Sequence, residues 1–231
     1  GQMSATLSHE YNQPLAAIKT YADNAAKMIQ RGKTAAVPDV LTRIGQMVDR
    51  MSQLSKTLLA FSRKPGTALV PATIGSVASE ALLLVGQKAK KAGVRITTDI
   101  PAGLTARTGP IRLSQIVVNL VGNAVDALAG EDGLAPAGAR IDIVAWTEND
   151  RVMIRIADNG PGIGADLRGK VFEPFFPTKP VGSGLGLGLS IVDSVVRDLE
   201  GSVRLVDREG ETGACFIIDI PADDRQAQAA E

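Results

Sequence analysis

Leu7-Ser8-His9-Glu10-Tyr11-Asn12-Gln13-Pro14-Leu15 opens the stretch on which the fold turns. From Leu7 the apolar positions Tyr11, Leu15, Ile18, Ala22, Ala25 and Ile29 follow at steps of 4, 4, 3, 4, 3 and 4. That is the spacing of a helix burying one seam against another helix. It predicts a long helix over about residues 2–31, stopped by glycine in Arg31-Gly32-Lys33-Thr34. A second helix is expected from Pro38 to Arg63, where Leu41, Ile44, Val48, Met51, Leu54, Leu58 and Phe61 repeat by threes and fours before Lys64-Pro65-Gly66. Each helix would be ~40 Å long, and the two would fold into an antiparallel hairpin. A lone hairpin leaves much of each apolar stripe in water. Each fully buried Leu or Ile is worth about 1.5–3 kcal/mol, so two hairpins are expected to pair into a four-helix bundle, as a homodimer.

His9 is the only histidine. It sits two residues from both Leu7 and Tyr11, about 200° around the helix from the seam, so it is expected to face outward. An exposed imidazole with a pKa near 6.5 is largely neutral at pH 7 and offers a nucleophilic ring nitrogen. Glu10, beside it, is placed to orient the other ring N–H. One histidine without a set of partner carboxylates makes a poor metal site. Pro14 removes the hydrogen bond to the Glu10 carbonyl. Either it kinks the helix one turn after His9 or the helix accommodates it, and the sequence leaves both readings open.

Beyond Pro65-Gly66 the texture changes. Helices are predicted near 74–92, 111–129 and 187–199, and strands near 94–100, 104–107, 140–148, 151–157, 202–207 and 214–220. Asn149-Asp150 marks a hairpin between two of these strands. Helices mixed with largely antiparallel strands imply an α+β sandwich with its helices on one sheet face. The expected domains are residues 1–66, 67–222 and a polar tail at 223–231.

Three further motifs carry chemistry. On the helix 111–129, Asn119 and Asn123 share a face, with Gln115 a turn earlier and Asp126 approximately in line. Amides along one stripe of an apolar helix need partners, which Mg²⁺ and phosphate oxygens would supply. Asp158 ends a strand, and Asn159-Gly160-Pro161-Gly162 turns behind it. A carboxylate there accepts from an exocyclic amine such as adenine's, while Gly160 and Gly162 let the base lie against the backbone. An ordinary Asp-Asn-Gly turn is an equal reading of this motif taken alone. Finally Gly182-Ser183-Gly184-Leu185-Gly186-Leu187-Gly188 runs into a helix, where glycine N–H groups and the helix N-terminus cradle anions. Lys179 is a candidate phosphate contact on the segment between the two glycine clusters, which reads as a lid. Gly164 to Lys170 mimics a P-loop, but Val171 stands where a Mg²⁺-binding hydroxyl belongs.

Lys+Arg and Asp+Glu are equal at 25 each in 231 residues, so there is no basic field for nucleic acid and phosphates must be held locally. No nucleic-acid partner is expected. No run approaches the ~18–20 apolar residues of a membrane span, and the first residues do not read as the charged-apolar-small pattern of a signal peptide. Cys215, the single cysteine, excludes an internal disulfide and fits a reducing cytoplasm, and it reads as a small core residue. Gly1 opens in mid-helix pattern, so the chain is expected to be a cytoplasmic fragment of a longer protein.

With these residues assembled, the chain resembles a two-component sensor histidine kinase over nearly its whole length. His9-Glu10-x-x-Gln13-Pro14-Leu15 matches the phosphoacceptor box, and Asn119 with Asn123 matches the N box. Asp158-x-Gly160-x-Gly162 matches the first glycine box, Phe172-Glu173-Pro174-Phe175-Phe176 the F box, and Gly184-Leu185-Gly186-Leu187-Gly188-Leu189 the second glycine box. The His9 region, with Tyr21-Ala22-Asp23-Asn24-Ala25, is similar to the four-carbon dicarboxylate sensor kinases.

The resemblance implies a dimerisation and phosphotransfer bundle joined to a Bergerat-type ATP-binding domain. It also implies Mg²⁺ held through Asn123, phosphoryl transfer from ATP to His9, and onward transfer to an aspartate of a response-regulator receiver domain. It further implies an upstream membrane segment in the full-length protein. Gln13 stands four residues after the histidine, where many relatives carry Thr or Asn for dephosphorylating the regulator, and it is the candidate for that role. Pro177 replaces a residue that is often Thr in close relatives. Two other readings compete with this one. ATP-hydrolysing relatives place a water-activating glutamate where Asn119 stands, and an amide cannot take that proton. A dimerisation scaffold with a dead pocket is opposed by Asn123, Asp158 and both glycine boxes.

Overall fold

The structure, a computed structural model, describes residues 2–62, 69–130, 133–174, 176, 186–208 and 210–223, with the side chains at 2–11, 50 and 53–62 outside that set. The chain divides into two compact units, Gly1–Arg63 and Lys64–Glu231.

The first unit is a helical hairpin of α1 (Gln2–Gln30) and α2 (Val37–Ser62). Gly32, at φ 70°, ends α1, with Lys33 N–H donating to Met28 O at 2.9 Å. A single 3-10 turn, Thr34–Ala36, leads into α2. α1 continues as helix across Pro14, which is buried. The hairpin contact differs in part from the predicted seam. Pro14, Ala17, Ile18, Tyr21, Ala25 and Met28 are the covered positions of α1, and Val37, Val40, Ile44, Met47 and Met51 those of α2. Leu15, Ile29, Leu41 and Val48, placed in the seam by spacing, remain 48–56% exposed, and Ala22 is exposed as well. The seam side chains of Leu7, Tyr11, Leu54, Leu58 and Phe61 lie outside the described residues. One run of apolar residues at threes and fours thus serves two adjacent stripes, of which the hairpin covers one.

The second unit is an α+β sandwich. A five-stranded sheet has the order β2 (Arg95–Asp99), β4 (Arg140–Glu148), β5 (Arg151–Asp158), β7 (Cys215–Pro221), β6 (Ser202–Val206). The β2–β4 pair is parallel and the others are antiparallel. Asn149 and Asp150 close the β4–β5 hairpin expected from the sequence, and both take the left-handed region, with φ of 48° and 59°. A separate pair joins β1 (Pro71–Thr73) to β3 (Thr105–Arg107), and the sequence does not announce β1. Three residues beginning with proline carry too little alternation to read as a strand.

Alternate residues of the central strands, including Ile141, Ile143, Val152, Ile154, Ile156, Ile218 and Ile220, are at most 2% exposed. In the same core lie Leu113, Ile116 and Leu120 of α4 (Pro110–Ala129), Val192 and Val196 of α5 (Gly188–Asp198), and Ile74 and Ala81 of α3 (Ile74–Ala92). α4 packs against both α3 and α5. Cys215 is a buried, unpaired thiol, and burial pushes its pKa up. Val171, of the P-loop mimic, is likewise core.

Candidate nucleotide site

α4 starts at Pro110, whose fixed φ suits the first helical position, after Gly109 at φ 69°. Its apolar face, Leu113 to Leu128, is held in the core. That fixes the opposite stripe, where Gln115, Asn119, Asn123 and Asp126 all lie half-buried. Asp126 is not a free member of the amide row, because Lys88 Nζ of α3 lies 2.5 Å from its Oδ1.

Asn123 meets the second glycine cluster. A Cβ placed on Gly188 would come within 3.1 Å of Asn123 Nδ2 and 3.4 Å of its Oδ1. Glycine there lets the first turn of α5 close on the amide. Gly186 takes φ 64°, and Leu187, 4% exposed, is the N-cap residue and gives no side-chain cap to the helix. Among the described residues no side chain caps the first N–H groups of α5, and the helix dipole adds positive potential beside Asn123.

Asp158 lies at the other end of the row. It closes β5 and is 5% exposed, its Oδ1 accepting from Gly160 N–H at 2.8 Å and Ala214 N–H at 3.2 Å. Among the described residues Oδ2 accepts no hydrogen bond. Burial raises the Asp158 pKa, opposed by the Gly160 and Ala214 bonds and by the Arg208 charge. Asn159 ties the turn to the start of β4, its Oδ1 accepting from Arg140 N–H at 2.8 Å and its Nδ2 donating to Gly138 O at 3.0 Å. A Cβ on Gly160 would stand 3.0 Å from Asp158 Oδ1 and 3.3 Å from Leu128 Cδ2, so the turn closes tightly on the end of α4. Gly162, at φ 75°, passes close to the Gly213 carbonyl.

Three residues here escape sequence reasoning. Gly213, at φ 102°, lies so close to the Asp158–Asn159 backbone that a Cβ would overlap the Asp158 carbonyl. Arg208 donates to the carbonyls of Asp158 and Thr212 and pairs with Glu211. Ala214 supplies its N–H to Asp158. The available signal for Gly213 is a glycine at the mouth of a strand, which marks close backbone approach, but the nearby turn at Glu209-Gly210-Glu211 hides it. Nothing in sequence spacing announces Arg208 or Lys88.

The structure therefore brings Asn119, Asn123, Asp158, Gly160, Gly162, Gly186 and Leu187 into one unit, with the Asn123 amide against the α5 N-terminus. His9 and Glu10 fall on α1, and their side chains lie outside the described residues, as do Pro177, Lys179, Gly184 and Leu185. Gln13 is exposed on α1. Among the described residues no group of three or more His, Cys, Asp or Glu could hold a metal. A hard cation here would take most of its oxygens from a ligand and water, with an amide oxygen from the protein, which fits Mg²⁺ beside Asn123. An acceptor carboxylate at one end and anion-favouring donors at the other suit a molecule with an amino-bearing heterocycle and a phosphate chain.

Comparison with known proteins agrees. Residues 108–224 match the model described as histidine kinase-, DNA gyrase B-, and HSP90-like ATPase, and residues 1–66 match the His Kinase A (phospho-acceptor) domain. The chain is 37% identical over 206 residues to the C4-dicarboxylate transport sensor protein DctB of Pseudomonas aeruginosa, covering 89% of this chain and 33% of that protein. It is 34% identical over 222 residues to its namesake from Rhizobium meliloti, covering 95% and 34%. The chain thus spans about a third of these relatives' length. The catalytic domain of histidine kinase ThkA superposes with a TM-score of 0.57 at 28% identity, over 66% of this chain and 94% of that one. No helix among the described residues is long and apolar enough to cross a membrane.

Proposed function

Because the chain belongs to the histidine kinase-, DNA gyrase B- and HSP90-like ATPase family and carries a phospho-acceptor domain in front, we propose that it is the ATP-dependent core of a sensor histidine kinase. The family's domain binds ATP. On this reading residues 1–66 dimerise and accept phosphate, residues 67–222 bind and position the nucleotide, and residues 223–231 are a tail.

The adenine amine donates to Asp158 Oδ2, held in place by the two backbone bonds on Oδ1. Gly160 and Gly162 allow the base to lie on the turn. Asn119, Asn123, Gly186, Leu187 and the α5 N-terminus receive the phosphates, with Gly184, Leu185 and Lys179 completing the cradle. Mg²⁺, when bound beside Asn123, neutralises charge on the phosphate oxygens. Glu10 orients the His9 ring so that one nitrogen carries a lone pair. That nitrogen attacks the γ-phosphorus, the bond to the bridging oxygen breaks, and ADP leaves with the electron pair. No proton has to be taken from water, which fits an amide at Asn119. The phosphoryl group then passes from His9 to an aspartate of a receiver domain, and Gln13 is the candidate for assisting removal of phosphate from that regulator.

The wet stripe of Leu15, Ile29, Leu41 and Val48 supports pairing of two hairpins. A membrane-anchored full-length sensor is part of the same proposal, and the relatives named as transport sensor proteins are about three times as long as this chain. The observation that carries the reading is the contact of Gly188 with Asn123 on the same helix whose end meets the Asp158 turn. The test is incubation with γ-labelled ATP and Mg²⁺. An acid-labile, base-stable label that His9→Gln abolishes is expected, and label persisting in His9→Gln would remove His9 as acceptor.

A further inference from the structure

Lys88 projects from α3 across to α4, its Nζ 2.5 Å from Asp126 Oδ1, with half of the lysine side chain exposed. Asp126 lies three residues beyond Asn123 and two before Leu128. Leu128 touches the Gly160 turn behind Asp158, and Asn123 touches the first turn of α5. A nucleotide stretched from the Asp158 slot to the α5 N-terminus runs along α4 from Leu128 to Asn123, about 7.5 Å at 1.5 Å per residue. Asp126 is the i+3 neighbour of Asn123 on the helix surface, about 60° round from it, so Lys88 stands beside the crossing of the phosphates onto the amide row.

A chain of zero net charge has no general field to gather a polyphosphate, so a local cation at this crossing matters. Arg112 also lies on α4, but seven residues before Asn119, about 10 Å further along the axis and away from the crossing. A lysine ammonium has three donors, and one carboxylate oxygen does not exhaust them. We propose that Lys88, held by Asp126 at the edge of the amide row, is a further phosphate-contacting cation that adds to this site's preference for nucleotides over nucleosides. The proposal rests on the nucleotide-site reading above and adds a residue outside the matched segment 108–224.

Titration calorimetry of the full chain with Mg·ATP, Mg·ADP and adenosine tests it. Lys88→Met should weaken ATP and ADP about tenfold, the scale of one hydrogen bond to a charged group, and leave adenosine within about twofold. Lys88→Arg, which keeps the charge, should stay within about threefold of the wild type for all three. Equal losses for ATP and adenosine would assign Lys88 to packing and overturn the proposal, as would no loss at all. So would a loss in Lys88→Arg as large as that in Lys88→Met. Wild-type protein that binds none of the three ligands would instead overturn the nucleotide-site reading, and the role of Lys88 with it.

Discussion

Replacing Gly213 by alanine should damage the second unit more than its chemistry suggests, and Gly210→Ala supplies the control. Both glycines have positive φ, 102° and 72°. Gly210 has nothing within 4 Å of an added Cβ, so its alanine variant loses only backbone freedom and φ comfort, about 1 kcal/mol. At Gly213 the Cβ would overlap the Asp158 carbonyl oxygen and approach Asn159 Cα to 2.9 Å, and these are backbone atoms that cannot rotate away. The loop has to move. Its movement breaks the Ala214 N–H bond to Asp158 Oδ1, worth about 1.5–3 kcal/mol for a charged acceptor, and adds about 1–3 kcal/mol of strain. The sum is roughly 2.5–6 kcal/mol, or about 5–24 °C in Tm for a unit of this size. Trp146 is the only tryptophan and sits on β4, so its fluorescence reports on the second unit without a contribution from the hairpin. A Gly213→Ala transition within about 2 °C of Gly210→Ala would refute the close-approach argument.

The buried Asp158 carboxyl predicts a pH dependence. Burial raises its pKa above 3.8, so ionising it costs stability that is present below that value and lost as pH rises through the raised pKa. Nucleotide binding has the opposite sign: an adenine amine needs the ionised oxygen, so affinity should fall as pH drops through the same window. Asp158→Asn should flatten both profiles in that range. An unchanged acid dependence of affinity in Asp158→Asn would assign the titration to another group. For the hairpin, Leu41→Lys with Val48→Lys places charges on the wet stripe and removes four apolar side chains per dimer. At about 1.5–3 kcal/mol each, dimer affinity should fall by more than a hundredfold in sedimentation equilibrium, and an unchanged dimer would mean that pairing uses another face.

Most elements are readable because their periods are clean. The hairpin of β4 and β5 follows from alternation on either side of Asn149-Asp150, and α4 from an apolar face interrupted by amides at a spacing of four. The seam of α1 reads as one stripe, although Leu15 and Ile29 belong to a face the hairpin does not cover. Threes and fours cannot separate two stripes about 100° apart. Asn119, Asn123 and Asp158 stand out as polar groups in apolar runs. Gly213, Arg208 and Lys88 do not, because each acts on a residue distant in sequence: Gly213 and Arg208 on the Asp158 backbone, Lys88 on Asp126. Such contacts exist only once β5 and β7 are paired and α3 lies against α4. The β2–β4 pair, parallel in an otherwise antiparallel sheet, is likewise a matter of topology and not of pattern.

A crystal structure of the chain with a non-hydrolysable ATP analogue and Mg²⁺ is the most direct test of the nucleotide site. The adenine amine should lie within about 3.2 Å of Asp158 Oδ2, a normal hydrogen-bond length, with the phosphates between Asn123 and the first turn of α5. An analogue bound elsewhere, or an Asp158 slot filled by the protein's own side chains, would contradict the account.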